Sequence, residues 1–382
     1  MAAGSTTARA AEGASPPTLA ARLPAFPWDS LAGAAALARR HPDGIVDLSV
    51  GTPVDSVPEV VQTALRNASD SPGYPLTAGT PALREAAADW LARRHGVTVD
   101  PAAVLPVIGT KEFIASLPTE LGCGPGDVVA FPALAYPTYD VGARLAGARP
   151  VPVAGVVSLG PERVRLLWVN SPSNPTGQVL PAEHLGKVVS WARERGTVVA
   201  SDECYLELGW DATPLSVLHP DACAGSHQGL LAVHSLSKRS NLAGYRAGFV
   251  TGDPDLVGEL LEIRKHAGLI VPAPVQAAMA AALGDDVHAD AQRARYAARR
   301  TKMWPALEAA GWTIEDSAAG LYLWATHPEL DCRASVERLA KAGILVAPGE
   351  IYGPGGTRHI RVALTAADER IDAAVSRLAQ LD

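Results

Sequence analysis

Between residues 100 and 250 short apolar runs recur at helix-length intervals. VLPVIG (104–109), DVVAF (127–131), RLLWVN (165–170), TVVASDE (197–203) and LLAVHS (230–235) each have the length and β-rich composition of a strand. The stretches between them change to a helical period. AEHLGKVVSWARERG (182–196) is the clearest case, an amphipathic helix that Gly196 is expected to close. The alternation predicts an α/β architecture with a mostly parallel sheet and helices on both faces. Chemically capable residues gather just after the apolar runs: Asn170 and Asn174, Asp202 and Tyr205, then Ser235, Ser237 and Lys238. In parallel α/β sheets ligands bind beyond the carboxyl ends of strands, so these residues point to one site with several contributors.

The last third is patterned differently. A long helical stretch at about 275–310 leads into WTIEDSAAGLYLWAT, a helix ASVERLAKAG, the run ILVAPGE, the segment GPGGTRHIRVALT and a final helix. Turns of hairpin type separate these elements, which suggests a smaller α+β domain. No repeat is visible. The boundaries expected are a disordered tail at 1–20, an arm at 21–47 that joins the small domain, a large domain at 48–275 and a small domain at 276–382.

Composition narrows the function classes. Hydrophobic residues make up 48% of the 382 and charged residues 19%, a globular balance. The formal net charge of -7, with no dominant basic patch, argues against nucleic acid as a partner. Cys123, Cys204, Cys223 and Cys332 are scattered, which indicates neither a zinc site nor a disulfide framework and suits a reducing cytoplasm. The most apolar stretch, AGLIVPAPVQAAMAAAL (267–283), carries two prolines and a glutamine and reads as a buried loop and helix rather than a membrane span. The ten histidines form no HExxH pair, so no metal is expected.

Several residues have chemistry to offer. Lys238 follows an apolar run, with hydroxyls one and three positions before it and Arg246 after it. An ordinary lysine is protonated near neutral pH and a poor nucleophile; burial lowers its pKa and frees it for Schiff-base chemistry. Hydroxyls with a nearby arginine suit a phosphate. Asp202 at a strand end could hold a metal, act as a base, cap a helix or pair with a cationic ring nitrogen. NSPSNPTG (170–177) is a turn that two prolines stiffen around Asn174. GTKEF (109–113) opens a helix whose amides can bind phosphate, without the spacing of a nucleotide P-loop. Tyr136 and Tyr139 are core tyrosines or rings stacked on a flat cofactor. Arg361, inside the apolar HIRVAL (359–364), needs an anionic partner, either structural or a substrate carboxylate.

Taken in order, LSVGTP (48–53), YPLTAGTPALREA (74–86), GTKE, AYPTY, NSPSNPTG, SDECY, SLSKRSNLAGYRAG and HIRVAL resemble the class I/II aminotransferases of the fold-type I pyridoxal-phosphate enzymes. The resemblance covers most of the chain. It implies a large domain built on a mostly parallel seven-stranded sheet, a smaller α+β domain, pyridoxal 5'-phosphate as cofactor and a homodimer with shared active sites. Lys238 would carry the cofactor and shuttle a proton. Asp202 would pair with the pyridine nitrogen, Asn174 and Tyr205 with the ring's phenolic oxygen, and Tyr136 would stack on the ring. Thr110, Lys111, Ser235, Ser237 and Arg246 would hold the phosphate, helped by Tyr74 of the neighbouring subunit. Arg361 would grip the substrate α-carboxylate, and Gly51 would let the backbone approach the substrate. LPAFPWDSL, HPDGIVDLSVGTPVDSVP, LGWDATPLSVLHP and RKHAGLIVPAPVQAAM are similar to actinobacterial N-succinyl-diaminopimelate aminotransferases. That likeness implies transfer from glutamate to N-succinyl-2-amino-6-ketopimelate on the route to lysine and cell wall. A cation should then meet each substrate's distal carboxylate, and Lys111, Arg239 and Arg22 are the candidates. Rival readings are an aspartate, aromatic or acetylornithine-like specificity, or a β-lyase on the same scaffold.

Overall fold

The structure is a computed structural model that describes residues 18–381. Most of the tail expected at 1–20 lies outside the described residues; Leu19 and Ala20 open a short 3-10 helix, Leu19–Arg22. A seven-stranded sheet forms the centre, in the order Val104–Ile108, Ala247–Gly252, Leu230–Ser235, Val198–Asp202, Val164–Asn170, Val128–Pro132 and Arg149–Val153. Ala247–Gly252 runs antiparallel to both neighbours, and the other pairings are parallel. All five strands read from the apolar runs are present. Leu230–Ser235 and Ala247–Gly252 are buried at every position, as strands covered on both faces must be.

Two apolar cores flank this sheet. One contains Leu185, Val188 and Val189 of the helix Ala182–Arg193. That helix ends three residues before Gly196, whose positive φ of 63° turns the chain into the next strand. The other core lies under Phe113, Ile114 and Leu117 of the helix Thr110–Glu120 and Tyr139 of the helix Thr138–Ala146. The stretch at 275–310 is two helices, Ala273–Gly284 and Asp286–Ala309. Asp285 separates them and caps the second by accepting from the Val287 amide. Ala278, Met279, Ala282 and Leu283 of the first helix join the large core, so that packing unit runs past residue 275, where the boundary was expected.

A four-stranded sheet, Ala347–Pro348, His359–Ala363, Tyr322–Thr326 and Thr313–Glu315, is antiparallel throughout. Its core includes Leu323, Ile360 and Val362 from the strands, with Leu31, Val46 and Leu48 from the N-terminal arm. Val46–Asp47 pairs in parallel with Ile344–Leu345, which ties the arm to this unit. Among the described residues no helix is long and apolar enough to cross a membrane.

Candidate active site

Asn170, Asp202 and Ser235 are the last residues of three adjacent parallel strands. The turn after each strand then brings in Asn174, Tyr205 and Lys238. They meet the start of the helix Thr110–Glu120 and the small sheet across a cavity of about 450 Å³. Gly51, Thr110, Lys111, Tyr136, Asn174, Asp202, Tyr205, Ser237, Lys238, Arg246 and Arg361 all line it. Two expected contributors do not. Ser235 instead caps the short helix Leu236–Arg239, its Oγ accepting from the Ser237 amide at 3.1 Å. Tyr74 is 98% exposed and turned to solvent in this single chain.

One end of the cavity suits a phosphate. Gly109 caps its helix with no side-chain acceptor, so the first amides are unclaimed by any side chain. The Arg246 guanidinium stands beside this end: a Cβ at Gly109 would lie 2.3 Å from Arg246 Nη2. Gly109 has φ of 73°, so both space and backbone conformation require glycine there. Lys111 stands at the same helix start. Desolvation, then the neighbouring Arg246 charge, lower its pKa from the usual lysine value.

Behind the middle of the cavity stands Asp202, 5% exposed. Its Oδ2 accepts from the Tyr139 hydroxyl at 2.8 Å and its Oδ1 from the Cys204 amide at 3.2 Å. Tyr139 is wholly buried and stacked on Trp168 at 5.0 Å; burial and the Asp202 charge push its pKa well above the usual phenol value, so it remains a donor. Asn170 braces two neighbours. Its Nδ2 donates to the Asp202 carbonyl at 2.9 Å and its Oδ1 accepts from the Asn174 amide at 2.7 Å. A carboxylate with two fixed donors, facing a cavity with a phosphate-type cradle at one end and Lys238 on its wall, fits a phosphorylated ring with a protonated nitrogen.

The far wall holds Arg361, 2% exposed. Nη1 donates to Asn174 Oδ1 at 2.9 Å and Nη2 to the Ser49 carbonyl at 2.7 Å. The guanidinium lies over the rings of Tyr322 at 3.8 Å and Tyr352 at 4.9 Å. Among the described residues no carboxylate pairs with it. The partner left open by the sequence is therefore not a structural acid, and the charge faces the cavity. Gly51 lines the cavity, and a Cβ there would lie 2.2 Å from the Tyr322 hydroxyl oxygen. The missing side chain makes room for a phenol of the protein itself.

Of the three cations considered for a distal carboxylate, only Lys111 lines the cavity. Arg239 is buried on the other side of its helical turn, paired with Glu207, bonded to the Ala282 carbonyl and packed against Trp90. Arg22 is exposed in Leu19–Arg22 and outside the cavity wall. Phe26 and Trp28, from the same arm, do reach the mouth, with the Lys111 amine 5.4 Å from the Phe26 ring. Tyr322, Phe26 and Trp28 had no assigned site role in the sequence, and Tyr139, offered there as a core or stacking ring, instead bonds Asp202. An aromatic residue that lines a site is patterned like one that fills a core.

Residues 43–378 match the family model for aminotransferase class I and II. A probable aminotransferase of Mycobacterium tuberculosis is 65% identical over 94% of this chain and 86% of its own length. The 4-dedimethylamino-4-oxo-anhydrotetracycline transaminase OxyQ of Streptomyces rimosus is 61% identical over 93% of this chain and 99% of its own. Among solved structures, a probable N-succinyldiaminopimelate aminotransferase from Thermus thermophilus superposes with a TM-score of 0.84 at 29% identity, covering 94% of this chain and all of that one. With the sheet, the cradle and the buried arginine already in place, the chain belongs to the class I and II aminotransferases, enzymes of the fold-type I architecture that depend on pyridoxal 5'-phosphate.

Proposed function

We propose that this aminotransferase moves the amino group of glutamate to N-succinyl-2-amino-6-ketopimelate, yielding N-succinyl-LL-diaminopimelate and 2-oxoglutarate. The observation that carries the proposal is a pair of cations that line one cavity and, among the described residues, have no carboxylate partner. Arg361 is buried at the substrate end, and the more exposed Lys111 stands near the mouth beside the Phe26 ring. Both substrates carry one carboxylate beside the reacting carbon and another farther away, and a buried cation gains most from a partner that shares its desolvated site. The likeness to the Thermus protein and the subgroup stretches outside the catalytic motifs favour the same acceptor.

The roles follow from position. Pyridoxal phosphate, when bound, supplies an electron sink for charge developing at the substrate's reacting carbon. Lys238 would hold the cofactor through Nζ and carry the proton taken from the substrate Cα. Asp202, braced by Tyr139, would accept from the ring nitrogen. Asn174 spends Oδ1 on Arg361, which leaves Nδ2 to donate to the ring's phenolic oxygen beside the Tyr205 hydroxyl. Thr110 and Lys111 through their backbone amides, with Ser237 and Arg246, would hold the phosphate, Ser235 acting through the Ser237 amide, and Tyr136 would cover the ring. Arg361 would grip the α-carboxylate in a two-pronged pair. The active unit would be a homodimer, with the exposed Tyr74 reaching the partner's phosphate and the exposed apolar side chains Val54 and Leu76 becoming covered.

A keto-acid panel with glutamate as donor tests the specificity. N-succinyl-2-amino-6-ketopimelate should exceed oxaloacetate and phenylpyruvate in kcat/KM by about 100-fold, ~2.7 kcal/mol of transition-state binding. Preference for 4-dedimethylamino-4-oxo-anhydrotetracycline would carry a second reading, which the 61% identity to the tetracycline transaminase favours. Preference for phenylpyruvate or oxaloacetate would refute both.

A further inference from the structure

Tyr322 has no part in the roles just assigned, yet it touches two of their bearers, Arg361 and Tyr205. It opens the strand Tyr322–Thr326, opposite Ala363, which places it diagonally beside Arg361 on the neighbouring strand. Its ring lies 3.8 Å from the Arg361 guanidinium carbon. Its hydroxyl oxygen is 3.1 Å from that of Tyr205 and occupies the space where a Cβ of residue 51 would be. Both phenols are buried, 5% and 6% exposed, and both line the cavity. Among the described residues neither oxygen has another hydrogen-bond partner. Two hydroxyls carry two hydrogens, and their mutual contact uses one. The second hydrogen is left to face the cavity.

We propose that Tyr322 is a positioning residue: its ring seats the carboxylate-binding Arg361, and its hydroxyl donates to Tyr205 so that Tyr205 turns its own hydrogen to the phenolic oxygen of the cofactor. The proposal rests on the roles given above to Tyr205 and Arg361. A donor that itself accepts a hydrogen bond is polarised and donates more strongly, by roughly 10–30% per bond. Burial holds the Tyr205 phenol well above its usual pKa, so it stays a donor at working pH. The single residue then couples the substrate-carboxylate site to the ring without touching either reacting atom.

The test uses the holoenzyme and two readouts, the pH midpoint of the bound cofactor's visible absorbance and the affinity for glutarate, a dicarboxylate with no amino or keto group to exchange. A donor stabilises the anionic form of the phenolic oxygen, so losing it moves the midpoint up. Tyr322→Phe keeps the ring. It should raise the midpoint by about half a unit and leave glutarate affinity within about twofold, since the stack on Arg361 is intact. Tyr322→Leu should raise the midpoint similarly and weaken glutarate by about tenfold. Tyr205→Phe should move the midpoint farther than either. A midpoint unmoved in Tyr322→Phe but moved in Tyr205→Phe overturns the inference alone. A midpoint unmoved in both overturns the inference together with the role of Tyr205. Glutarate affinity unchanged in Tyr322→Leu overturns the seating of Arg361.

Discussion

Replacing Tyr139 by phenylalanine deletes a single oxygen from the wall behind Asp202. The ring keeps its place against Trp168, 5.0 Å away, and edge-on to Tyr136 at 6.2 Å, so packing is preserved. Asp202 loses the donor at 2.8 Å on Oδ2 and retains only the Cys204 amide at 3.2 Å on Oδ1. A buried hydrogen bond to a charged group is worth about 1.5–3 kcal/mol. If that bond orients the carboxylate toward the ring nitrogen, its loss appears in the transition state, lowering kcat by about 10- to 100-fold. Arg361 is untouched, so KM for glutamate should change by less than about threefold. Burial and Asp202 hold the Tyr139 phenol far above its usual range, so the ratio of variant to wild-type kcat should be flat from about pH 6 to pH 9. The assay is steady-state transamination from glutamate to N-succinyl-2-amino-6-ketopimelate at saturating cofactor, read as 2-oxoglutarate formed, with a parallel titration of cofactor affinity. A kcat within twofold of wild type, with cofactor affinity unchanged, would show that Tyr139 merely fills the core.

Gly51→Ala should destabilise the wild-type chain by about 1–3 kcal/mol, because the new methyl meets Tyr322, but cost little in a Tyr322→Leu background; a urea-denaturation cycle that proves additive refutes the steric reading. Glu203 is wholly buried with Oε2 unpaired, and burial raises its pKa to about 7. The folded state then keeps a proton that the unfolded chain releases above about pH 4.5, so this group's contribution to stability falls as pH rises from about 4.5 to 7. The nearby His234, 3.7 Å away, is lowered to about 3 by burial and contributes the opposite slope up to about pH 6.5. Glu203→Gln removes only the first slope, so its urea midpoint should gain on wild type between about pH 5 and pH 8, and a constant difference would contradict the assignment. Arg239→Leu should cost about 3 kcal/mol in urea denaturation, from the buried pair with Glu207, and leave KM for glutamate within about twofold; a large KM increase in a stable protein would return Arg239 to the substrate.

What the sequence revealed and what it concealed divide along a physical line. The strands ending at Asn170, Asp202 and Ser235 were legible because interior strands must be apolar on both faces, and the polar residue that ends such a run marks the sheet edge where ligands bind. Arg149–Val153 was missed because its two prolines suit only an edge strand, which is where it lies. Ala247–Gly252 was missed because only single turns of helix, Leu236–Arg239 and Ala243–Tyr245, separate it from the preceding strand, and it returns antiparallel. In the site, the order of lysine, hydroxyls and arginine was readable, since charge and hydroxyl carry their chemistry wherever they stand. Direction was not. Arg239 follows Lys238 by one residue, and in a helical turn that step rotates the side chain by about 100°, away from the cavity and onto Glu207 and Trp90.

Gly51 shows the same limit from the other side. A glycine in a loop beside a ligand admits two explanations: a ligand that comes close, or a side chain of the protein that does. Nothing between residues 48 and 53 reveals the second, because the atom that fills the space, the Tyr322 hydroxyl oxygen, belongs to a residue about 270 positions later on the four-stranded sheet. The same phenol then explains why an arginine as buried as Arg361 can lie in an apolar strand without a carboxylate partner. An aromatic face, an amide oxygen and a backbone carbonyl compensate part of its charge, and the balance is left for a substrate carboxylate to complete. A structural carboxylate in that place would satisfy Arg361 within the chain, so the carboxylate-binding role proposed for Arg361 requires that its pairing be incomplete.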